Sequence, residues 1–261
     1  MSMDLGRLQE GLERATGSRW FLVAFTLVTL VPPVTEKGYD PSETSTVIYY
    51  LLANSLLGLA SPLYPIFKII PAALILSLVM LGDRISRVFS LYAAVSYLLF
   101  ALLQGISITE RYGFAIVTGN VIQMLLTSVL WFWEAIIKRN DFRSPKLSLK
   151  NCWTIPLAFL AFWYPMGPTG GPDFDPRYLL TNAAGLAFCT MTPVYLAVLT
   201  VYYPNVNKAT MRVTGLTGAI IGFWNMVAFL TMPQLLWWHG ILHLPLMLIS
   251  LYALALSFRA R

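Results

Sequence analysis

Apolar positions fall into eight long runs: residues 21–34, 47–81, 88–108, 113–137, 153–166, 178–203, 213–232 and 234–257. These runs are continuous and lack the two-residue alternation of a barrel strand, so they predict helices and exclude a lipid-facing β-barrel. A spanning helix needs about 20 apolar residues. Most runs reach that length, 153–166 is short, and 47–81 is long enough to cross twice. Pro62, Pro65 and Pro71 interrupt the last of these, and Lys68 lies inside it. The expectation is an all-α, polytopic integral membrane bundle of about eight spanning helices, within a range of seven to nine. Residues 19–258 form a single transmembrane bundle. Residues 1–18, where Leu5, Leu8 and Leu12 alternate with charges, predict an amphipathic helix at the cytosolic surface, and residues 259–261 form a cytosolic tail.

Composition agrees: 57% of residues are hydrophobic and 11% charged, against about 25% charged in an ordinary globular chain. The net charge of +6 raises a nucleic-acid partner, but the basic residues sit in the breaks between apolar runs and mark orientation instead. If 47–81 crosses once, 14 of the 18 basic residues fall on one side: Arg7, Arg14, Arg19, Arg84, Arg87, Lys138, Arg139, Arg143, Lys146, Lys150, Lys208, Arg212, Arg259 and Arg261. The other side receives Lys37, Arg111 and Arg177. Two crossings would destroy this asymmetry. One crossing plus a broken or interfacial piece is therefore expected, with both termini cytosolic. No small-x-small cleavage site follows the first run, so it is expected to stay as an anchor. Cys152 and Cys189 lie at different depths and predict no disulfide.

The opposite side then holds Glu36, Asp40, Glu43, Glu110, Asp173 and Asp175. Asp40-Pro41 and Asp175-Pro176 read as helix N-caps followed by proline, whereas Asp173 and Glu110 have no such role and become catalytic candidates. Counted at about 1.5 Å per residue, Gln104, Asn120, Gln123, Asn182, Asn225, His239 and His243 share the outer half of the bilayer. Polar groups there either tie helices together or line a cavity, and their convergence on one layer favours a substrate pocket. On one helix Asn120, Gln123, Thr127, Trp131 and Glu134 form a stripe. Glu134, near the cytosolic end with Lys138 four residues on, is expected to form a snorkelling ion pair with it. His239, His243 and Ser250 form a second stripe. His-x-x-x-His admits a metal, but a catalytic zinc wants three protein ligands, so neutral histidines that donate or relay protons are expected, without metal or cofactor.

Trp163, Tyr164, Tyr178, Trp224, Trp237 and Trp238 fall at the same level. Aromatic faces attract cations and a desolvated acid keeps its proton, which together suit a carbocation reaction. The segments Phe162-Trp163-Tyr164-Pro165, 167–176, Met191-Thr192-Pro193-Val194-Tyr195-Leu196 and Trp237-Trp238-His239-Gly240 resemble small polytopic proteins of fungal secondary-metabolite clusters, among them membrane-integral meroterpenoid cyclases. The likeness covers the chain from Phe162 onward. It implies an isomerase-type terpene cyclase of the endoplasmic reticulum membrane, which protonates an epoxide or alkene of a lipophilic isoprenoid. In that reading Asp173 or Glu110 is the general acid and His239 positions or recharges it. Asn120, Gln123, Asn182, Asn225, His243, Trp163, Tyr178, Trp224 and Trp238 bind substrate. The rival readings are a metal-dependent membrane hydrolase built on the two histidines and a transporter or lipid-binding receptor. A cysteine introduced at Ser144, in a chain lacking Cys152 and Cys189, should react with an impermeant reagent only from the cytosol, and one at Thr169 only from the other side. Labelling of both from one side would overturn this orientation.

Overall fold

The computed structural model describes residues 2–145, 147–231 and 233–259, so Lys146, Met232, Arg261 and most of the expected C-terminal tail lie outside the described residues. Helix α1 (Ser2–Gly17) leads into α2 (Arg19–Leu27), which tightens into a 3-10 turn at Val28–Leu30 and reaches strand β1 (Val34–Thr35). Helix α3 (Thr44–Ala53) and a 3-10 segment (Leu56–Leu63) precede α4 (Tyr64–Leu81). Helix α5 (Ser86–Leu99) ends in a π-helical turn (Phe100–Gln104), followed by β2 (Ile106–Thr109), β3 (Gly113–Ile116) and α6 (Thr118–Ile137). Then come α7 (Leu149–Cys152), α8 (Thr154–Trp163), α9 (Tyr178–Thr181), α10 (Phe188–Tyr202), α11 (Lys208–Thr231) and α12 (Pro233–Phe258). Five helical stretches are long and apolar enough to cross a membrane, and α9 to α10 makes a sixth if its 90° bend is counted as one span.

Hydrogen bonds sort the connections into two ends. At one, Gln9 donates to Asn207 Oδ1 (2.9 Å), Asn207 N to Asn140 Oδ1 (2.7 Å), Phe142 N to Asp83 Oδ1 (2.7 Å), and Lys208 Nζ to the Arg259 carbonyl (2.7 Å). Those bonds gather the N-terminal helix, the 82–85, 138–150 and 203–207 connections and the C-terminus, the segments that hold most of the basic residues. At the other end β1, β3 and β2 form an antiparallel sheet in that order, with Glu36 accepting from Phe114 N (2.9 Å) and Gln104 Oε1 accepting from Phe188 N (2.9 Å). Helix α3 packs there through Val47 and Leu51 against Tyr112 and Ala115. The 47–81 stretch therefore makes one passage, in α4, after a broken piece.

Three expectations change. The ends of runs 88–108 and 113–137 are not helical: Ile106 pairs with Ile116 and Ile108 with Phe114 in a hairpin. Alternating Ile106-Ser107-Ile108-Thr109 suits a strand, and Gly113, at φ 66°, supplies the turn geometry that L-residues resist. The architecture remains predominantly helical, with one small three-stranded sheet. Run 178–203 is broken, because the Asn182 side chain accepts from Ala184 N (3.1 Å) and starts a new turn. Finally, Glu134 does not pair with Lys138. It is 1% exposed, and its two oxygens accept from Asn140 N (2.7 Å) and Asn207 Nδ2 (2.7 Å). Lys138 instead closes α6 in the left-handed conformation, its N–H bonded to the Glu134 carbonyl.

The rest of the α6 stripe is a packing seam. Gln123 donates to the Phe25 carbonyl (3.1 Å), Thr127 bonds Thr217 (2.9 Å) and Trp131 donates to Thr214 (3.0 Å). Helices α11 and α12 approach backbone to backbone at Gly215 and Gly222, which face Leu254 and Met247, and Gly218 between them makes room for the Ser250 side chain. Small residues permit such contact where no aqueous hydrophobic effect drives helices together. A Gly218→Val change should therefore lower detergent stability by about 1–3 kcal/mol. Gly11→Ala, where nothing lies within 4 Å, should be neutral or raise it by about 0.5–1 kcal/mol. Thermal melting of the two variants compares them directly, and equal midpoints would show that the seam is not close-packed.

Candidate functional site

Helix α8 is only ten residues long. Pro165 halts it, and Tyr164 turns into the left-handed region at φ 52°. Several of the carbonyls this frees find donors from other elements. Lys68, buried within α4, donates to the Phe162 carbonyl and lies 4.3 Å from the Phe162 ring centroid. Asn182 Nδ2 donates to the carbonyls of Trp163 (2.8 Å) and Tyr164 (3.1 Å), and the Pro165 carbonyl accepts from Trp238 Nε1 (2.7 Å) and Asp173 N (3.2 Å). A cation and amide donors at a helix C-terminus are electrostatically favoured. Lys68 was visible in sequence as a lone charge within an apolar run, a signal that by itself marks a site to examine.

The turn aims the Tyr164 hydroxyl at His239 Nδ1, 2.8 Å away. One helical turn on, His243 stacks beside His239 at a ring-centroid distance of 4.2 Å and bonds the His239 carbonyl through Nδ1 (2.7 Å). A carbonyl only accepts, so the His243 proton resides on Nδ1 and Nε2 keeps its lone pair. His243 is 4% exposed and His239 half-buried. Asn225 approaches Cys189 Sγ (3.9 Å) but gives its better hydrogen bond to the Ile221 carbonyl (2.8 Å).

The 165–177 loop folds over this group. Met166 bridges Pro172, Gly170 N bonds the Gly167 carbonyl (2.9 Å), and a Cβ at Gly167 would come within 3.1 Å of the Asp173 Cβ. Both oxygens of Asp173 act as acceptors, from Tyr178 OH (2.7 Å) and Asp175 N (3.2 Å). Asp175 starts a turn and is not the N-cap of α9, which is Arg177; it accepts from Arg177 N (2.8 Å), and the Arg177 guanidinium holds its carboxyl below the ordinary range. Phe174 stands edge-on between Trp163 and Trp238, each 5.8 Å away.

Of the residues expected to meet in one layer, the structure joins Trp163, Asp173, Tyr178, Asn182, Asn225, Trp238, His239 and His243 around the α8 terminus. Gln123 lies instead against α2, with Asn120 half-buried one turn before it on α6. Glu110 occupies an exposed turn whose carbonyl accepts from Lys37 (2.5 Å). Trp224 is 46% exposed and meets the Phe223 ring edge-on (5.5 Å). Tyr164 and Lys68 enter the group although neither was singled out as a reacting residue. Among the described residues, no cluster of three His, Cys, Asp or Glu is placed to hold a metal.

Fold and site together describe a membrane-type helical chain with an acid–base cluster at the end away from its basic residues. Comparison with protein-family models, curated proteins and solved structures finds no match in any of the three. Asn182→Ala would leave the Trp163 carbonyl without its side-chain donor, the Tyr164 carbonyl keeping Met166 N (2.9 Å), and should cost about 1–3 kcal/mol. Tyr164→Phe should leave the melting midpoint within about 1 kcal/mol of wild type, because both partners of that bond are side chains. A stable Asn182→Ala protein would refute the stapling role.

Proposed function

We propose that the chain is an integral membrane enzyme of eight spans, its basic end cytosolic, that cyclises or isomerises a lipophilic isoprenoid by proton transfer. The span count adds α2 with its 3-10 extension and the short α8 to the long apolar helices. The observation that carries the reaction class is the Tyr164–His239 hydrogen bond with His243 stacked behind it in aromatic surroundings. A phenol bonded to an imidazole can give a proton to an alkene or epoxide and recover it through the ring, and the flanking indole and phenyl faces stabilise the cation that results. Asp173, paired with Tyr178 at the rim, serves as the second acid–base group and takes up the proton lost at the end of the reaction. The resemblance to membrane cyclases points the same way.

Purified protein incubated with lipid and isoprenoid extracts should produce an isomer of unchanged mass, detectable by mass spectrometry. Tyr164→Phe and His239→Phe should lower turnover by about 10²–10⁴-fold with melting near normal, and Asp173→Asn should lower turnover while retaining substrate. Chelators should have no effect. Reversible loss of activity on chelation would replace this reading with a histidine-based metal hydrolase, and substrate flux into proteoliposomes without any isomer would replace it with a transporter.

A further inference from the structure

The basic end carries a second site, separate from the acid–base cluster. The C-terminal half of α1, the first turns of α11 and the last turn of α12 enclose an open concavity of about 660 Å³. That falls inside the range of about 300–1,000 Å³ typical of small-molecule sites. Arg14, Lys208, Arg212 and Arg259 line it, against the carboxylates of Glu10 and Glu13.

Arg212 is what makes it a built site. It is 6% exposed, yet every acceptor it has is neutral: Nη1 donates to the Glu13 carbonyl (2.9 Å) and Thr16 Oγ1 (3.0 Å), and Nη2 to the Ser257 carbonyl (2.9 Å). Among the described residues its Nε proton has no acceptor and no salt bridge involves it. The Phe258 ring covers one face of the guanidinium at 4.5 Å. The lining thus sets four cations against two carboxylates, so the concavity carries a surplus of positive charge around a buried guanidinium. Gly17 packs directly on the guanidinium, since a Cβ there would lie 3.1 Å from Nη1. Lys208, by bonding the Arg259 carbonyl, draws a further cation to the rim.

We propose that this groove binds the phosphodiester of an anionic phospholipid, with Arg212 as the buried anion partner and Arg14, Lys208 and Arg259 as the rim. A planar guanidinium suits a phosphate oxygen better than a point charge would. The two glutamates select a single phosphate whose headgroup brings hydroxyl or ammonium donors, as glycerol or serine does. The lipid source is favoured over a soluble one because Phe258 and Trp20, both exposed at this end, are placed as aromatic side chains are at a membrane interface. This inference rests on the orientation proposed above and not on the reaction.

The test uses the full-length protein in neutral detergent, titrated with short-chain phosphatidylglycerol, phosphatidylserine or phosphatidylcholine. Retained lipid is read by native mass spectrometry and the melting midpoint is read in parallel. The anionic lipids should bind saturably, at least tenfold tighter than phosphatidylcholine, and raise the midpoint. Gly17→Leu, which sets a side chain against the guanidinium while keeping every cation, and the rim variant Arg14→Gln/Arg259→Gln, which leaves Arg212 and its bonds intact, should each weaken binding about tenfold. Equal retention of phosphatidylcholine, or undiminished anionic-lipid binding in both variants, would overturn the site. Glycerol 3-phosphate or inorganic phosphate reproducing the same shift at millimolar concentration would overturn the lipid source in favour of a soluble phosphate.

Discussion

Inside a hydrocarbon layer, a chain that leaves the helical conformation frees N–H and C=O groups that water cannot satisfy. Much of this molecule is organised around four such departures. At the end of α8, Lys68, Asn182 and Trp238 supply the missing donors. At the bend before α10, Asn182 and Gln104 accept from Ala184 N and Phe188 N, and Thr190 bonds the Ala184 carbonyl. Near the end of α2, Gln123 reaches the Phe25 carbonyl, and beyond α5 the chain pairs with itself as a sheet. Polar residues in the apolar half of the bundle are therefore mostly answers to broken backbone, and they hold the breaks in place.

Those breaks set where the polar side chains meet. Had α8 continued, Tyr164 would lie along a helix face instead of turning toward α12, and the 165–177 loop would have no floor on which to set Asp173. The opposite end has a different logic. There Glu134, Asn140, Asn207 and Gln9 join α1, α6 and the turn before α11 in one buried network, and Arg212 ties α1 to α12. A carboxylate that has amide donors and a guanidinium that has carbonyl acceptors sit close in the fold without pairing. Among the described residues, Arg212 Nε and Asn140 Nδ2 each keep a donor without an acceptor.

Much of the helical framework was legible in the sequence, because long apolar runs and the placement of Arg and Lys are dictated by the solvent and not by packing. The cap at Asp40 was legible for a similar reason, being local, whereas Asp175 starts a turn two residues before Arg177, the N-cap of α9. The hairpin at 106–116 was hidden: its alternating Ile106-Ser107-Ile108-Thr109 adjoins a helix of the same hydropathy. Depth along a helix placed Asn182 and His239 in one layer correctly, yet could not separate them from Gln123, since rotation about the axis and the partner helix decide which neighbours a side chain meets. Glu134 was misread because a lysine four residues on is adjacent only if the helix continues, and here α6 ends at Lys138. The role of Gly215, Gly218 and Gly222 depends on which helix lies opposite, and a single sequence does not reveal that.

The seam those glycines form also settles where the molecule can give. Two helices in contact at the main chain have no layer of side chains to act as a lubricant, so α11 and α12 move as one body and hold His243 and Asn225 at constant spacing. Admission of anything bulky to the histidines has to be accommodated by the Gly-Pro-rich 165–177 segment and the stub of α8 beneath it. The compliant wall and the rigid wall are thus distinct parts of the chain, with the phenol of Tyr164 mounted on the first and its imidazole partner on the second. Any displacement of that loop relative to α12 would therefore change the Tyr164–His239 distance, which is set across the two parts.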